Sequence, residues 1–415
     1  MIWLIGNKGM LGTELSGHLQ HAGLPWVGTD REVDILDPAA LRTFVAGKDL
    51  RWLVNCAAYT AVDKAEEEEA LALRLNAEGP ANLATLAAGL GARLLHLSTD
   101  YVFDGSASTP YRESDPPAPA GAYGRTKEEG ERRVMAAAPS SVILRTAWLY
   151  GRHGPNFVYT MLRLLKERDS LGVVADQHGS PTSAADLSAA IIHMITLPQL
   201  PPGIYNYTNE GQTTWYHFAC EIHRLARQRG LLERDCPIHP LTTEAYPTKA
   251  ARPAYSVLSK EKIKNLGVQV PGWEESLKGH LEELTSILRR QRQWFRVVEY
   301  DLRSAEIEAS FGRFRSCAFW CQQSVEKTLK SLIEFDERPL PVHDVFKLAH
   351  KLRLPLEDRH KQLLKLLGKL YTESRYDLNL EIDEGQTAGE ESARLLEASK
   401  EFIQWARTQN RLPIV

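Results

Sequence analysis

Short apolar runs alternate with amphipathic helical patterns along most of the chain before Leu288. The first apolar runs, each followed by a helical pattern, are Ile2–Ile5, the run ending at Asp30, Arg51–Tyr59 and Arg93–Leu97. This alternation is typical of a parallel sheet with helices on both faces. We predict an α/β fold with a Rossmann-type, doubly wound parallel sheet, mainly in residues 1–150. A small α/β substrate domain should follow, mainly in residues 151–288, with short strands at Leu171–Asp176 and Gly203–Asn206.

The pattern changes after about Leu288, where strand signals and glycine-rich turns stop. Five segments carry apolar residues at the three- and four-residue spacing of amphipathic helices. They are Trp294–Phe311, Ser316–Phe335, His343–Leu352, Glu357–Tyr376 and Glu390–Gln409. Short, proline-containing connections between helices favour an up-and-down bundle. We therefore predict a second, all-α domain, a helical bundle, at residues 289–415.

A glycine-rich turn follows the first predicted strand. Its sequence from Gly6 to Gly12 is G-x-x-G-x-x-G, and Asp30 lies 18 residues beyond Gly12. Glycines at a strand-to-helix turn let the backbone approach a pyrophosphate, and an acid at about this distance binds the adenosine ribose. Arg31 could instead hold a 2′-phosphate, so NADH and NADPH both remain open. The residues assigned to the cofactor site are Gly6, Gly9, Met10, Leu11, Gly12, Asp30, Arg31, Asp34, Ile35, Ala57, Ala58, Tyr59, Tyr123 and Lys127.

Polar residues also follow the strand predicted at Arg93–Leu97. Thr99 and Asp100 come at its end, and Tyr123 and Lys127 lie in the next helical pattern. Ligands of open α/β sheets bind outside the carboxyl ends of the strands, so Thr99 and Asp100 should face a crevice. Tyr123 and Lys127 are four residues apart and share one helix face. We predict that Thr99, Tyr123 and Lys127 converge where they can protonate and polarise a carbonyl.

The phenol must become more acidic to act as an acid near neutral pH. A shift from a pKa of about 10 by about 3 units corresponds to about 4 kcal/mol. One ammonium at about 4 Å, in an effective dielectric of about 20, supplies an interaction of that size. We therefore expect Lys127 to lower the pKa of Tyr123. The pair alone is weak evidence, because Tyr-x-x-x-Lys should occur about once by chance among 14 tyrosines.

Composition narrows the class of protein. A chain of 415 residues is long enough for two domains. A net charge of −3 makes nucleic acid an unlikely partner, and no apolar run approaches the length of about 18 residues that suggests a membrane span. The five cysteines are odd in number and scattered, which indicates reduced thiols in the cytoplasm. Cys317 and Cys321 lack further ligands at a suitable spacing, so we predict no zinc site.

Several motifs resemble extended short-chain dehydrogenases/reductases and, more narrowly, the dTDP-4-dehydrorhamnose reductase family. They are Asn55–Glu66, Ser98–Gly105, Tyr123–Lys127, Arg145–Gly151, Asn156-Phe157, Asp176–Thr182, Trp215 and Ala251–Ser256, within about residues 1–286. The sequence departs from the family at Cys56, usually alanine, and at Ala122, often larger. The resemblance implies reduction of the 4-keto group of dTDP-4-dehydro-L-rhamnose to dTDP-L-rhamnose by NADPH or NADH. Tyr123 would supply the proton.

The resemblance also assigns contacts. Lys127 would hold the nicotinamide ribose, Thr99 and Asp100 would contact the sugar, and Trp148 would pack on it. Judged by chemistry alone, Trp148 offers an apolar wall for a hexose, although it also suits a core at a domain interface.

Two further features concern ions. Arg252 is a plausible partner for the substrate diphosphate. In some relatives a magnesium ion bridges a dimer through carboxylates, and Glu14 and Asp186 occupy roughly matching places here. Exposed helical acids are usually only solvated, so this magnesium site is the weaker expectation.

The C-terminal segment resembles HEPN domains at Ala318–Lys330, at His343-Asp344 and at Tyr371–Asp377. That resemblance implies a dimerising or nucleotide-associated module, and some HEPN domains are ribonucleases with an Arg-x4-6-His motif. The near match from Arg353 to His360 is interrupted by a proline, so we prefer homo-oligomerisation or partner docking.

Two other functions remain open at this point. A nucleotide-sugar epimerase or dehydratase of the same superfamily would retain its NAD. Alternatively, the first domain could be a cofactor-bound sensor and the HEPN-like bundle an effector that binds RNA or a nucleotide.

Overall fold

The structure is a computed structural model that describes residues 1–332, 343–352, 354–376 and 386–409. The chain divides into two compact units, Met1–Glu282 and the residues from Glu283 onward. Arg353 and Asp377, which the sequence analysis singled out, lie outside the described residues.

The first unit is built on a six-stranded sheet in the order β10-β5-β4-β3-β1-β2, with every neighbouring pair parallel. Its strands are β1 (Ile2–Ile5), β2 (Trp26–Thr29), β3 (Trp52–Asn55), β4 (Arg93–Thr99), β5 (Val142–Thr146) and β10 (Gly203–Asn206). The expectation that Gly203–Asn206 belongs to the small domain was wrong, because this segment pairs with β5 and forms the edge of the main sheet. The predicted Rossmann-type architecture is confirmed.

Shorter strands form two-stranded pairs outside the main sheet. They are β6 (Leu149–Tyr150), β7 (Leu171–Val174), β8 (His178–Gly179), β9 (Thr182–Ser183), β11 (Thr213–Thr214) and β12 (Ile238–Leu241). The helices that lie wholly within this unit are α1 (Met10–His21), α2 (Pro38–Val45), α3 (Val62–Ala65), α4 (Glu69–Leu73), α5 (Gly79–Leu90), α6 (Ala122–Ala137), α7 (Phe157–Glu167), α8 (Ala184–Thr196), α9 (Trp215–Gln228) and α10 (Glu261–Lys264). A π-helical turn, Arg74–Glu78, joins α4 to α5.

Alternation along the central strands produces a core on each face of the sheet. Leu4 and Val54 pack with α1 and α8 on one face, whereas Trp3, Ile5 and Leu53 pack with α5 on the other. Because successive side chains of a strand point to opposite faces, a sheet covered by helices on both sides needs continuous apolar strands. This requirement explains the unbroken apolar runs in the sequence.

The strand register aligns the carboxyl ends on one edge. Ile5 pairs with Asn55, Asn55 with His96, and Thr99 with Thr146. The strand order reverses between β1 and β3, which is where doubly wound sheets bind ligands. The glycine turn after β1 and the polar end of β4 therefore lie along the same crevice.

The described residues of the second unit form helices, as predicted. Its helices are α11 (Trp273–Ser310, which begins before Glu283), α12 (Phe314–Leu332), α13 (Val345–Lys351), α14 (Asp358–Tyr376) and α15 (Gln386–Thr408). Apolar side chains on their facing sides form one core, which includes Val298, Cys321, Val325, Leu364 and Phe402. The helix predicted to begin at Trp294 begins earlier in the structure, at Trp273. Residues 274–310 contain no proline and only one glycine, so nothing interrupts α11.

Candidate active site

The turn between β1 and α1 has the shape that a dinucleotide pyrophosphate requires. Gly6 has φ +78°, and a Cβ there would lie 2.7 Å from the amide nitrogen of Ala57. A Cβ on Gly12 would lie 2.1 Å from the carbonyl oxygen of Gly6. No side chain in the described part of the chain caps the first turn of α1, which begins at Met10 after Gly9. Its amides suit an anion, so these residues fit a bound dinucleotide.

The residues after β2 are divided between the crevice and the core. Asp30 is half-buried and Arg31 is exposed, as a ribose or 2′-phosphate contact requires. The side chain of Ile35 is instead 7% exposed and packs in the core against Gly79, which leaves only its backbone for a cofactor contact. Asp34 uses its carboxylate to accept a hydrogen bond from the Leu36 amide at 2.9 Å.

The loop after β3 is held rigidly beside this turn. Asn55 Oδ1 accepts from the Ala57 amide at 3.0 Å. Asn76 Oδ1 accepts from the Tyr59 amide at 2.8 Å, and Asn76 Nδ2 donates to the Tyr59 carbonyl and to Thr126 Oγ1, both at 3.1 Å. Asn76 thus ties this loop to α6. No role was predicted for Asn55 or Asn76, although each is a polar residue within an apolar pattern and Asn55 begins one of the family motifs.

Helix α6 approaches the end of β4 closely because of one glycine. A Cβ on Gly124 would lie 2.1 Å from the carbonyl oxygen of Tyr101, so a larger residue would push the helix away. The first turn is fixed by Glu66, whose Oε1 accepts from the Ala122 amide at 2.8 Å. Tyr123 therefore lies beside the residues that follow β4.

The pKa of Tyr123 shifts in the direction opposite to the one expected from the sequence. Burial raises the pKa of Tyr123 to about 12; a hydrogen bond with Thr99 opposes the rise, and the charge of Asp100 adds to it. Its ring meets the edge of the Tyr101 ring, with centroids 5.6 Å apart. Thr99, Asp100 and Tyr123 are thus brought together, with the phenol protonated at neutral pH.

Lys127 contacts other groups than the phenol. Its ammonium donates to the Leu97 carbonyl at 2.6 Å and lies 3.4 Å from Nε2 of His96, whose Nδ1 is 3.0 Å from Asn55 Nδ2. Burial lowers the pKa of Lys127 to about 8, although Glu131 and Cys56 oppose the shift. The expectation that Lys127 lowers the pKa of Tyr123 was wrong for this arrangement, because burial of the phenol dominates and Lys127 is directed at the end of β4.

Trp148 adopts an unusual backbone conformation. Its φ is +47°, the only positive value among non-glycine residues of the described part of the chain. Its ring stacks on Trp215 at 3.5 Å with an interplanar angle of 9°, and a Cβ on Gly179 would lie 2.5 Å from it. Left-handed backbone at a bulky residue is costly and needs support from its surroundings. Here the stacked indole and the close glycine provide it, and Trp148 as a whole is half-buried.

Two acidic residues have well-defined partners near Tyr123. Asp100 is 2% exposed and accepts from Thr99 Oγ1 at 3.0 Å. Burial raises its pKa to about 6, against hydrogen bonds from Ser256 and Thr99. Asp63 forms an ion pair with Arg252 at 2.8 Å. The guanidinium of Arg252 is therefore bound to protein in this structure.

The magnesium expectation is not supported. The carboxylate of Glu14 lies 3.5 Å from His18, 3.6 Å from Arg152 and 3.6 Å from His153, and although burial opposes it, these partners lower its pKa to about 2. Asp186 accepts from Asn209 Nδ2 at 2.7 Å and from Ser276 at 2.5 Å. The protein itself supplies the positive charge at Glu14, so the residues do not fit a cation. Within the described ranges, no cluster of three or more His, Cys, Asp or Glu side chains could hold a metal.

Comparison with known proteins identifies the family. A model described as the RmlD substrate binding domain matches residues 1–286, and the HEPN domain model matches residues 291–409. A dTDP-4-dehydrorhamnose reductase from Streptomyces griseus is 46% identical over 273 residues, which cover 64% of this chain and 88% of that protein. The chain belongs to the dTDP-4-dehydrorhamnose reductase family. It is an NAD(P)H-dependent oxidoreductase with a C-terminal HEPN domain.

Solved structures of the family align with about two thirds of the chain. The dTDP-4-dehydrorhamnose reductase of Clostridium acetobutylicum has 43% identity and a TM-score of 0.64, covering 68% of this chain and 99% of that one. The Bacillus anthracis enzyme, solved in complex with NADP, has 37% identity and a TM-score of 0.64, covering 68% and 98%. The predicted family, fold class and enzyme class are confirmed. Among the described helices, none has both the length and the apolar character of a membrane span.

Proposed function

We propose that this enzyme reduces the 4-keto group of dTDP-4-dehydro-L-rhamnose to give dTDP-L-rhamnose, with NADPH or NADH as the reductant. The observation that carries the proposal is the group at the carboxyl end of β4, where a protonated phenol, Tyr123, lies with Thr99 beside the crevice that starts at the glycine turn. A group of this kind can deliver a proton to a carbonyl oxygen. The relatives' names supply the substrate class.

Each residue has a distinct task in this proposal. The bound nicotinamide supplies the hydride. Tyr123 donates its phenolic proton to the developing alkoxide, and a pKa of about 12 keeps that proton in place until charge appears on the substrate oxygen. The hydroxyl of Thr99 orients the same oxygen. Lys127, whose ammonium donates to the Leu97 carbonyl, would hold the nicotinamide ribose.

The sugar nucleotide would lie across the carboxyl ends of the strands. Asp100 and the exposed part of Trp148 would contact the hexose, and Arg252 would contact the diphosphate. A cytoplasmic location is part of this proposal, because all five cysteines are free thiols and such thiols persist in reducing compartments.

The turnover assay tests the reaction. The full-length protein, mixed with the dTDP-4-keto-6-deoxy sugar and reduced cofactor, should oxidise one cofactor per sugar consumed. No oxidation with either NADPH or NADH would overturn the proposal. Sugar conversion without release of oxidised cofactor would instead favour an epimerase or dehydratase, which recycles its NAD.

Cofactor choice should depend on the residue after Asp30. The exposed guanidinium of Arg31 can pair with a 2′-phosphate, whereas Asp30 accepts from ribose hydroxyls. Arg31→Ala should raise the KM for NADPH about tenfold or more and leave that for NADH nearly unchanged. Equal effects on both cofactors would show that Arg31 does not contact the 2′ position.

For the helical unit we propose self-association through the α11 stripe, defined by Val297, Tyr300 and Ile307 on one exposed face of α11 and by Phe311, the residue directly after the helix. These side chains are 42%, 67%, 56% and 67% exposed, which is unusual for large apolar residues so close together. Val297 and Phe311 lie seven residues on either side of Ser304, with Tyr300 and Ile307 four and three residues away. A two-fold axis at Ser304 would therefore place the stripe against itself, as a symmetric dimer requires.

Sedimentation analysis tests this association. The wild type should have twice the chain mass, and Ile307→Lys should be monomeric, because a dimer would then bury two unpaired charges. Tyr246→Lys, at a residue 59% exposed in the first unit, is the matched control and should not change the mass. A monomeric wild type, or a dimeric Ile307→Lys, would contradict the proposal. A nuclease role gains no support, since His360 is 5% exposed and packs 3.9 Å from the Trp405 ring.

A further inference from the structure

The segment that carries Arg252 is bound to α3, the short helix that follows β3, by a group of polar contacts. The guanidinium of Arg252 donates through Nη2 to Asp63 Oδ2 at 2.8 Å and through Nη1 to the Ala250 carbonyl at 3.1 Å. The other oxygen of Asp63 accepts from the Ala250 amide at 3.1 Å. Next to this group, Lys249 pairs with Glu67. We refer to the Asp63, Ala250 and Arg252 contacts as the arginine clamp.

The clamp lies beside the proton-donating group. The charges of both Arg252 and Asp63 act on the phenol of Tyr101, whose pKa is raised mainly by burial. The Tyr101 ring in turn contacts the ring of Tyr123. Arg252 therefore lies near Tyr101, next to the proton-donating group, and in the proposed function it would meet the diphosphate of a sugar nucleotide whose sugar is at Tyr123.

The charge and contacts of Asp63 suit a residue that holds Arg252 in place. Although burial opposes it, the Ala250 amide and the Arg252 guanidinium lower the pKa of its carboxyl group, so it is charged at neutral pH. The Arg252 side chain is 18% exposed and that of Asp63 44% exposed, so the pair is open to solvent on one side. A guanidinium has five N–H donors, and the clamp uses one on each of two nitrogens. Among the described residues no other side chain or backbone oxygen accepts from the remaining donors, which can therefore meet a diphosphate.

We propose that Asp63 is a positioning residue that orients Arg252 for the diphosphate of the sugar nucleotide. This inference rests on the proposed function, in which Arg252 contacts that diphosphate. An arginine fixed before binding loses less side-chain entropy when the ligand arrives. The negative charge of Asp63 also repels a diphosphate. If positioning of Arg252 is the larger effect, removing the charge weakens binding of the diphosphate. If repulsion is the larger effect, removing the charge strengthens it.

Binding of dTDP, measured by calorimetry on the full-length protein, tests the proposal without requiring turnover. Asp63→Asn keeps the shape of the side chain but removes the charge that fixes the guanidinium, and should weaken dTDP binding about three- to tenfold. Glu67→Gln is the matched control, because it breaks the neighbouring ion pair with Lys249 without contacting Arg252. It should change binding less than about twofold.

A double-mutant cycle separates positioning of Arg252 from a general effect on the structure around α3. Arg252→Met should weaken dTDP binding, and adding Asp63→Asn to Arg252→Met should weaken it no further. Binding of the nicotinamide cofactor should be the same in all variants. The proposal would be overturned if the Asp63→Asn variant bound dTDP as tightly as the wild type or more tightly. It would also be overturned if Asp63→Asn weakened dTDP binding by the same factor in the Arg252→Met background as in the wild type.

The outcomes distinguish this inference from the proposed reaction. If the wild type binds dTDP but does not turn over the keto sugar, the reaction is wrong and the cycle still tests Asp63. If the wild type turns over the sugar while Asp63→Asn leaves both dTDP affinity and KM unchanged, the reaction stands and the positioning role fails. A wild type that does not bind dTDP overturns both.

Discussion

Replacing Lys127 by methionine should change how the stability of the first unit depends on pH. Lys127 is 2% exposed, and burial lowers its pKa from 10.5 to about 8. Between these two values the unfolded chain holds a proton that the folded chain has lost. The free energy of unfolding therefore rises with pH in this window, and below pH 8 the folded state carries the full cost of the buried charge.

The magnitude follows from the size of the shift. A difference of about 2.5 units corresponds to about 3 kcal/mol at 1.36 kcal/mol per unit. Methionine removes this cost but also removes the charged hydrogen bond to the Leu97 carbonyl, which is worth about 1.5–3 kcal/mol. The two changes nearly cancel at neutral pH. Compared between the wild type and the variant, the change in stability between pH 7 and pH 10 reports on the ionisation of Lys127 alone, because the cost of the buried charge differs between the two pH values.

The assay is chemical unfolding of the wild type and Lys127→Met at both pH values. The transition of the first unit is the one that NADPH shifts to higher denaturant, because a ligand stabilises the state that binds it. From pH 7 to pH 10 the wild type should gain about 2.5 kcal/mol more than the variant. The exposed Lys64→Met is the control and should follow the wild type. An equal pH dependence in wild type and Lys127→Met would refute the reasoning.

Three further predictions concern packing and domain independence. Gly124→Ala forces α6 away from the Tyr101 carbonyl and should lower kcat about 10- to 100-fold with cofactor affinity retained, as steady-state kinetics and cofactor titration can check. Glu131→Gln leaves Arg145 buried without its partner, now 2.6 Å away, and should lower the free energy of unfolding by about 3–5 kcal/mol in denaturant titrations. A fragment of residues 1–288 should keep the kcat of the full chain, because the family match ends at residue 286.

Matched variants make these tests specific. Gly17→Ala, in a helix with open space around the glycine, should leave kcat unchanged. Glu129→Gln, whose arginine partners lie on the helix surface, should cost less than about 1 kcal/mol. If either control behaves like its test variant, the close approach at Gly124 or the buried pair at Glu131 is not the cause. Loss of turnover in the fragment would mean that the helical unit takes part in the reaction.

Most of the fold was predictable because its signals are local. Continuous apolar strands, the glycine turn at Gly6 and the three- and four-residue spacing of the last helices depend on neighbours in the sequence. The pairing of Gly203–Asn206 with β5 was missed, because a four-residue strand does not carry information about which edge it joins. The continuity of α11 was missed for a different reason, since the change in composition near Leu288 indicates a new domain and not a break in the helix.

The candidate active site likewise has features that the local sequence predicts and features that depend on tertiary packing. Thr99, Tyr123 and Lys127 were predicted to converge. Thr99 and Tyr123 lie together, because the end of a strand and the start of the next helix share a fixed geometry, whereas the Lys127 ammonium donates to the Leu97 carbonyl. The partners of Lys127 and the role of Asn76 depend on which atoms are buried together, and no spacing in the sequence reveals that. Burial reverses the expected direction of the Tyr123 pKa shift for this reason.

Tyr123→Phe tests most directly whether the phenol is the proton donor. Cofactor affinity by titration and kcat with the dTDP-4-keto-6-deoxy sugar are measured for this variant and for Tyr101→Phe, its aromatic neighbour. Tyr123→Phe should bind NADPH as the wild type does while kcat falls about 10²- to 10⁴-fold, and Tyr101→Phe should lose far less. A Tyr123→Phe enzyme that keeps its kcat, or that loses cofactor binding in equal measure, would contradict the account.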